Sequence, residues 1–221
     1  MKETESFAKL CEVMATLFSE EGCPWDKAQT HESLRPHLLE EAYEVADAID
    51  AKDSEGLKEE LGDLLYHVMM HSTIAEKNGL FNLAEVLDKA TDKLITRHTH
   101  VFGNDVASTG EAAVETWEAN KLKEKGIRTP LENMKAVPKA LPALSRAEKV
   151  IKRSKKDFEA GSTLDEIHGL LDELFEADSD IGANMEKSGK ILLLLTAFYI
   201  KKEINAEFSL TNATQAFINS F

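Results

Sequence analysis

Cysteine is nearly absent from this chain: Cys11 and Cys23 are the two it has, they form no CxxC pair, and nothing in their placement suggests a disulfide framework. The cytosol is therefore the expected compartment. Positive charge is also in short supply. Forty acidic residues against 26 lysines and arginines leave a formal charge of -14, which argues against a general nucleic-acid or anionic-membrane surface. A polyanionic small substrate would have to be received through a metal and a few local cations. Long apolar runs are missing too. Ile191 to Ile200 is far too short to span a bilayer and is expected as a buried helix, and the polar start MKETESF lacks the apolar stretch of a signal peptide. Nor does any segment alternate apolar and polar residues as a half-buried strand does, so the expected fold is all-α.

What the 221 residues do have is 43% hydrophobic content, enough for one large or two small domains with a real core. Helical periodicity starts near Phe7, with Phe7, Leu10, Met14 and Leu17 or Phe18 on one side. EEGCPWDKAQTH reads as a loop; Thr30 can cap the next helix, whose regular part Pro36 places near itself. Asp53 or Ser54 is the expected cap of the following helix, Asn82 and Glu85 have capping-box spacing, and Ser108 with Glu111 marks a further start. From Leu122 to Pro142 the pattern breaks, with Gly126 and three of the five prolines. The expected organisation is a catalytic domain over residues 1–122, a linker over 123–142 and a second domain over 143–221.

The stretch from Glu40 to Asp63 organises the first half. Leu34, Leu38, Glu41, Val45 and Ala48 make the seam of a packing helix, so Glu41 stands where a leucine is expected, and Glu44 shares its face one turn on. On the next helix Leu57, Leu61, Leu64 and Val68 make the seam, with Leu65 and Met69 beside it, and Glu60 and Asp63 project from its flank. An unpaired carboxylate in apolar surroundings costs several kcal/mol or more and escapes by protonation, pairing or metal binding. Oxygen-only ligation suits a hard ion, Mg²⁺ first and Mn²⁺ second. A solvated acidic face is the plainer reading, but these acids interrupt the apolar stripe instead of lying opposite it. His67 and His71 have i, i+4 spacing but no matching acid for zinc and are read as packing residues.

Part of this pattern returns later. LLDELFEADSDI set against LLEEAYEVADAI puts Asp172, Glu173 and Glu176 on Glu40, Glu41 and Glu44, while Lys187 and Lys190 fall on Glu60 and Asp63. NATQAFINS against KATDKLITR places Ala216 on Lys93 and Ser220 on Arg97. Two ammonium groups would repel a metal and can pair with Glu173 and Glu176 instead. The expected architecture is thus a tandem of helical bundles whose second copy is degenerate and serves packing, dimerisation or regulation.

EExxE followed by ExxD on the next helix, here Glu40, Glu41, Glu44, Glu60 and Asp63, resembles the MazG family of nucleoside triphosphate pyrophosphohydrolases in the all-α pyrophosphatase superfamily. GCPWDKAQTH before it, DKLITRHTHVF after it and LPALSRAEKVIKR beyond are similar to further MazG segments. The resemblance implies cleavage of NTPs and dNTPs between the α and β phosphates, with Glu41, Glu44, Glu60 and Asp63 holding Mg²⁺ and Glu40 set further back. That reaction needs phosphate charge neutralised, a water in line and an acceptor for its proton, which Glu44 or Glu41 can be. Lys93 and Arg97, one turn apart, would hold the pyrophosphoryl part; Trp25 and Trp117 offer stacking surfaces for a base, with Lys121 one turn beyond the latter. A di-iron oxidase would need Glu-x-x-His on two helices, which the chain does not have. A narrower pyrophosphohydrolase acting on dUTP, dCTP or phosphoribosyl-ATP shares the acids, and a non-catalytic nucleotide-binding regulator is the other alternative. Exposed helical seams make a homodimer the expected assembly.

Overall fold

The computed structural model describes residues 2–176 and 181–221, apart from the side chain of Glu176, and every regular element among them is a helix. They fall into two compact units, Met1–Val106 and Ala107–Phe221.

The first unit is built on an antiparallel hairpin of α3 (His31–Ala51) and α4 (Ser54–Lys77), preceded by α1 (Lys2–Leu17) and α2 (Pro24–Ala28) and followed by α5 (Leu83–Arg97) and α6 (Thr99–Phe102). Helix α3 begins at His31, five residues before Pro36. Its start is set by a capping box in which Thr30 Oγ1 accepts the Ser33 N–H and Ser33 Oγ accepts the Thr30 N–H. Pro36 costs the helix one donor, opposite the exposed Glu32, whose carbonyl water can satisfy. Between the helices, Lys52 takes the left-handed conformation that ends α3, and Asp53 accepts the N–H groups of Glu55 and Gly56 to open α4. Asn82 and Glu85 cap α5 reciprocally. The core gathers Met14, Leu34, Met69, Met70 and Ile74, with Tyr66 and Leu83 packed against it. It lies at the end of the hairpin away from the Lys52–Asp53 turn.

The second unit contains α7 (Gly110–Glu124), α8 (Pro130–Lys135), α9 (Ala143–Ser154), α10 (Ala160–Glu176), α11 (Ile181–Lys201) and α12 (Ala206–Ile218). Helix α7 is capped by Thr109, one residue beyond the expected Ser108, because Thr109 Oγ1 reaches the Ala112 N–H. The proline-rich stretch read as a linker falls inside this unit. There α8 packs on α9, Val137 is 2% exposed and Arg153 donates to the Asn133 carbonyl. Helices α10 and α11 form a second hairpin around Ile167, Leu170, Ile191 and Leu194. The apolar run of α11 buries one side only, since Leu192 and Leu193 are exposed. No helix among the described residues is long and apolar enough to cross a membrane.

Helix α4 corrects one expectation. Leu61, Leu65 and Val68 are exposed, whereas Glu60 and Leu64 are partly buried and His67, Met70 and Ile74 fully so. The stripe that meets the rest of the unit is therefore rotated from the Leu57–Leu61–Leu64–Val68 seam, and Glu60 lies in it instead of on its flank.

Candidate functional site

Between the hairpin turn and the core, three carboxylates converge. Glu41 comes from the α3 seam, while Glu60 and Asp63 come from α4, three residues apart and so on one face. One oxygen from each lies within 4.8 Å of the others. The Glu41 side chain is 21% exposed, Glu60 is partly buried and Asp63 faces solvent. Glu44 is exposed and outside this trio, yet near enough to hydrogen-bond with both Glu41 and Glu60. Glu40 is turned away, with an oxygen 3.5 Å from His37 Nδ1.

The electrostatics all run one way. Burial holds the Glu41 carboxyl above its ordinary range; its hydrogen bond with Glu44 and the charges of Asp63, Glu44 and Glu60 push it further. Glu60 is raised by desolvation first, then by the charges of Glu44, Glu59 and Asp63. No influence acts in the opposite direction on either group. A cluster of mutually repelling oxygens, half withdrawn from water, fits a hard divalent cation by donor type and by charge.

His67, read from the sequence as a packing residue, is buried beside the cluster. It is 4% exposed and lies four residues after Asp63, with Nε2 3.8 Å from Glu41 Oε1 and with Nδ1 buried and unpartnered. Burial lowers its pKa, as does the neighbouring His37, against a weaker pull from Asp63, so it is neutral near pH 7. Behind it, His71 Nδ1 is 2.8 Å from His31 Nδ1, one ring donating and the other accepting, and its pKa is lowered by burial, then by His31 and His67. The available signal was the i, i+4 step from Asp63 to His67, which continues the acidic stripe into the core.

The other residues singled out in the sequence are spread more widely. Asp26, 5% exposed, accepts a 2.8 Å hydrogen bond from the Tyr66 hydroxyl, which ties the CPWD segment to α4. Next to it Trp25 is 53% exposed, with its ring edge toward His37 at 6.5 Å between centroids. Lys93 is exposed at the end of α5, whereas Arg97 is 5% exposed. Trp117 and Lys121 belong to the second unit; the Lys121 ammonium lies 4.5 Å from the Trp117 ring centroid and pairs with Glu118 at 2.7 Å.

In the second hairpin Lys187 pairs with Glu173 at 3.0 Å and Lys190 with Glu166 at 2.7 Å. Lys190 thus finds an acid two turns before the Glu173 position, while the side chain of Glu176, its other expected partner, lies outside the described residues.

Comparison with known proteins bears on the same stretch. A profile of the MazG nucleotide pyrophosphohydrolase domain matches residues 29–102. The chain is 37% identical to the nucleoside triphosphate pyrophosphohydrolase/pyrophosphatase MazG of Thermotoga maritima, over 97% of its own length and 84% of that protein. It is 33% identical to the nucleoside triphosphate pyrophosphohydrolase of Escherichia coli, over 91% and 80% of the two chains. A third relative, the nucleoside triphosphate pyrophosphohydrolase of Mycobacterium tuberculosis, is 40% identical over 60% of this chain and 40% of that one.

Proposed function

The chain belongs to the MazG nucleotide pyrophosphohydrolase family, and from that premise we propose that it hydrolyses nucleoside triphosphates between the α and β phosphates, releasing nucleoside monophosphate and pyrophosphate. The observation that supports this most is the convergence of Glu41, Glu60 and Asp63 within 4.8 Å, with Glu44 alongside and every local influence disfavouring charge on Glu41 and Glu60. Those four carboxylates would hold Mg²⁺, with Mn²⁺ as a substitute. Held there, such an ion would supply Lewis-acid chemistry, offsetting phosphate charge and polarising water.

The remaining steps belong to the chain's own groups. Glu44, the most exposed of the three glutamates around the cluster, takes the proton from the attacking water. Of Lys93 and Arg97 on α5, Lys93 is the better placed to meet an incoming polyphosphate, because Arg97 is withdrawn into the unit. The exposed ring of Trp25 offers a stacking surface that does not depend on the identity of the base, which favours a broad range of NTPs and dNTPs. We read the second unit as a degenerate copy: where a metal would need acids, Lys187 and Lys190 neutralise Glu173 and Glu166. We read the assembly as a homodimer, in which a second copy covers Leu61, Leu65 and Val68.

The test is a product assay with Mg²⁺ and a panel of NTPs and dNTPs, free phosphate being measured before and after inorganic pyrophosphatase is added. The expected result is phosphate only after the addition, together with nucleoside monophosphate. Glu41→Gln should lower turnover by about 100-fold or more while the helical circular dichroism is kept. Phosphate released at once alongside a nucleoside diphosphate would overturn the reading, as would an undiminished Glu41→Gln variant.

A further inference from the structure

Positive charge, scarce overall, is concentrated at one place in the second unit. From Lys149 to Lys156 five of eight residues are lysine or arginine and none is acidic, in a chain of net charge -14. Lys152, Lys155 and Lys156 line a cleft of about 300 Å³ together with Lys201 from α11 and one acid, Asp157, over an apolar floor that includes Phe158 and Ile200. The chain is turned into this cleft at Lys155, which adopts φ 56 and ψ 13 after the last residue of α9, a left-handed position that glycine usually fills. Ser154 Oγ then accepts the Lys156 N–H, and the Lys156 ammonium lies 4.9 Å from the Phe158 ring centroid. Lys152 pairs with Glu148 and Lys201 with Asp157. Among the described residues neither Lys155 nor Lys156 has a carboxylate partner. Lysines in the last turn of a helix complement its dipole, which accounts for Lys152. Lys155 and Lys156 lie past that turn and Lys201 on another helix, so the dipole does not account for their meeting.

We propose that this cleft binds a compact polyphosphate, inorganic or carried by a nucleotide, at a site separate from the carboxylates of the first unit. Several ammonium groups around one concavity repel each other until an anion enters. At physiological ionic strength that field reaches about 8 Å, which covers the cleft and little more. An extended nucleic acid would meet the acidic remainder of the chain, whereas a small polyphosphate meets four lysines and a single acid, Asp157, whose charge Lys201 already offsets. The proposal does not depend on the hydrolytic reading.

The test uses the full chain in EDTA, titrated with inorganic pyrophosphate by calorimetry and followed by amide chemical shifts. Binding is expected with shifts centred on residues 151–158 and 197–201, and the Lys155→Gln/Lys156→Gln variant, altered only at exposed side chains, should bind at least about ten-fold more weakly with unchanged basal NTP turnover. Titration with ATP separates the two sources: equal affinity assigns recognition to the phosphates alone, and tighter binding with added shifts at Phe158 assigns it to a nucleotide. The proposal is overturned if the variant binds pyrophosphate as the parent does, if the shifts fall on residues 41–63 instead, or if a single-stranded oligonucleotide binds the cleft more tightly than either.

Discussion

The Tyr66 hydroxyl matters to the first unit because it is the partner of a buried carboxylate. Asp26 is 5% exposed and accepts from it at 2.8 Å. Tyr66→Phe removes the donor and leaves the acid buried, a change expected to cost about 1–3 kcal/mol and to appear as a lower urea midpoint at unchanged m-value. The hydrogen bond from the Tyr66 hydroxyl to the Asp26 carboxylate was not legible in the sequence, since nothing in CPWD or LLYH says that residues forty apart will meet. Glu41 was legible, because a charged residue at a seam position is visible from spacing alone. The acids and histidines also give opposing pH dependences. Glu41 and Glu60 are raised, so the metal-free folded chain holds protons that the unfolded chain has released, and their contribution to stability declines as pH rises from the ordinary glutamate value of about 4.3 through the raised values. His67 and His71 are lowered, so stability declines as pH falls below the ordinary imidazole value of about 6.5. Melting curves in EDTA and in excess Mg²⁺ across pH 4–7 should diverge increasingly toward neutral pH, and the difference between them isolates the carboxylates. Parallel curves would mean that the ion does not engage them.

At the scale of an element, caps were read more reliably than faces. Thr30, Asp53 and Asn82 each accept the N–H groups that their spacing indicated, because a cap is a local hydrogen bond that needs no tertiary partner. Asp53→Ala should therefore destabilise the hairpin by about 1 kcal/mol, measurable as faster amide exchange in the first turn of α4. The face of α4 was a different matter. With LGDLLYHVMM the helix is apolar on almost every side, so periodicity supplies two candidate stripes, and Leu61–Leu65–Val68 is the one left outside. Which stripe packs inward is decided by α1 and α3, through Met14 and Leu34 against Met70 and Ile74. That choice moves Glu60 into the buried stripe and places His67, buried as a packing residue would be, beside Glu41.

For the whole molecule, the division into units after Val106 puts Trp117 and Lys121 with the second half, although their helix reads in sequence as an extension of the first. A homodimer predicts a solution mass of twice the 24.6 kDa chain by light scattering, and a charged substitution such as Leu65→Glu should shift it toward the single-chain mass; an unaltered mass would remove that stripe from the interface. The paired lysines of the second hairpin carry a different consequence. Lys187 and Lys190 act as covalently attached counter-ions to Glu173 and Glu166, so that hairpin has its neutralising charge at any ionic composition. On the proposed reading of the site, the first hairpin takes its own from solution. In a calorimetric scan a chelator should then shift only one of two melting transitions, making the two halves of one chain distinguishable by what they need from the medium.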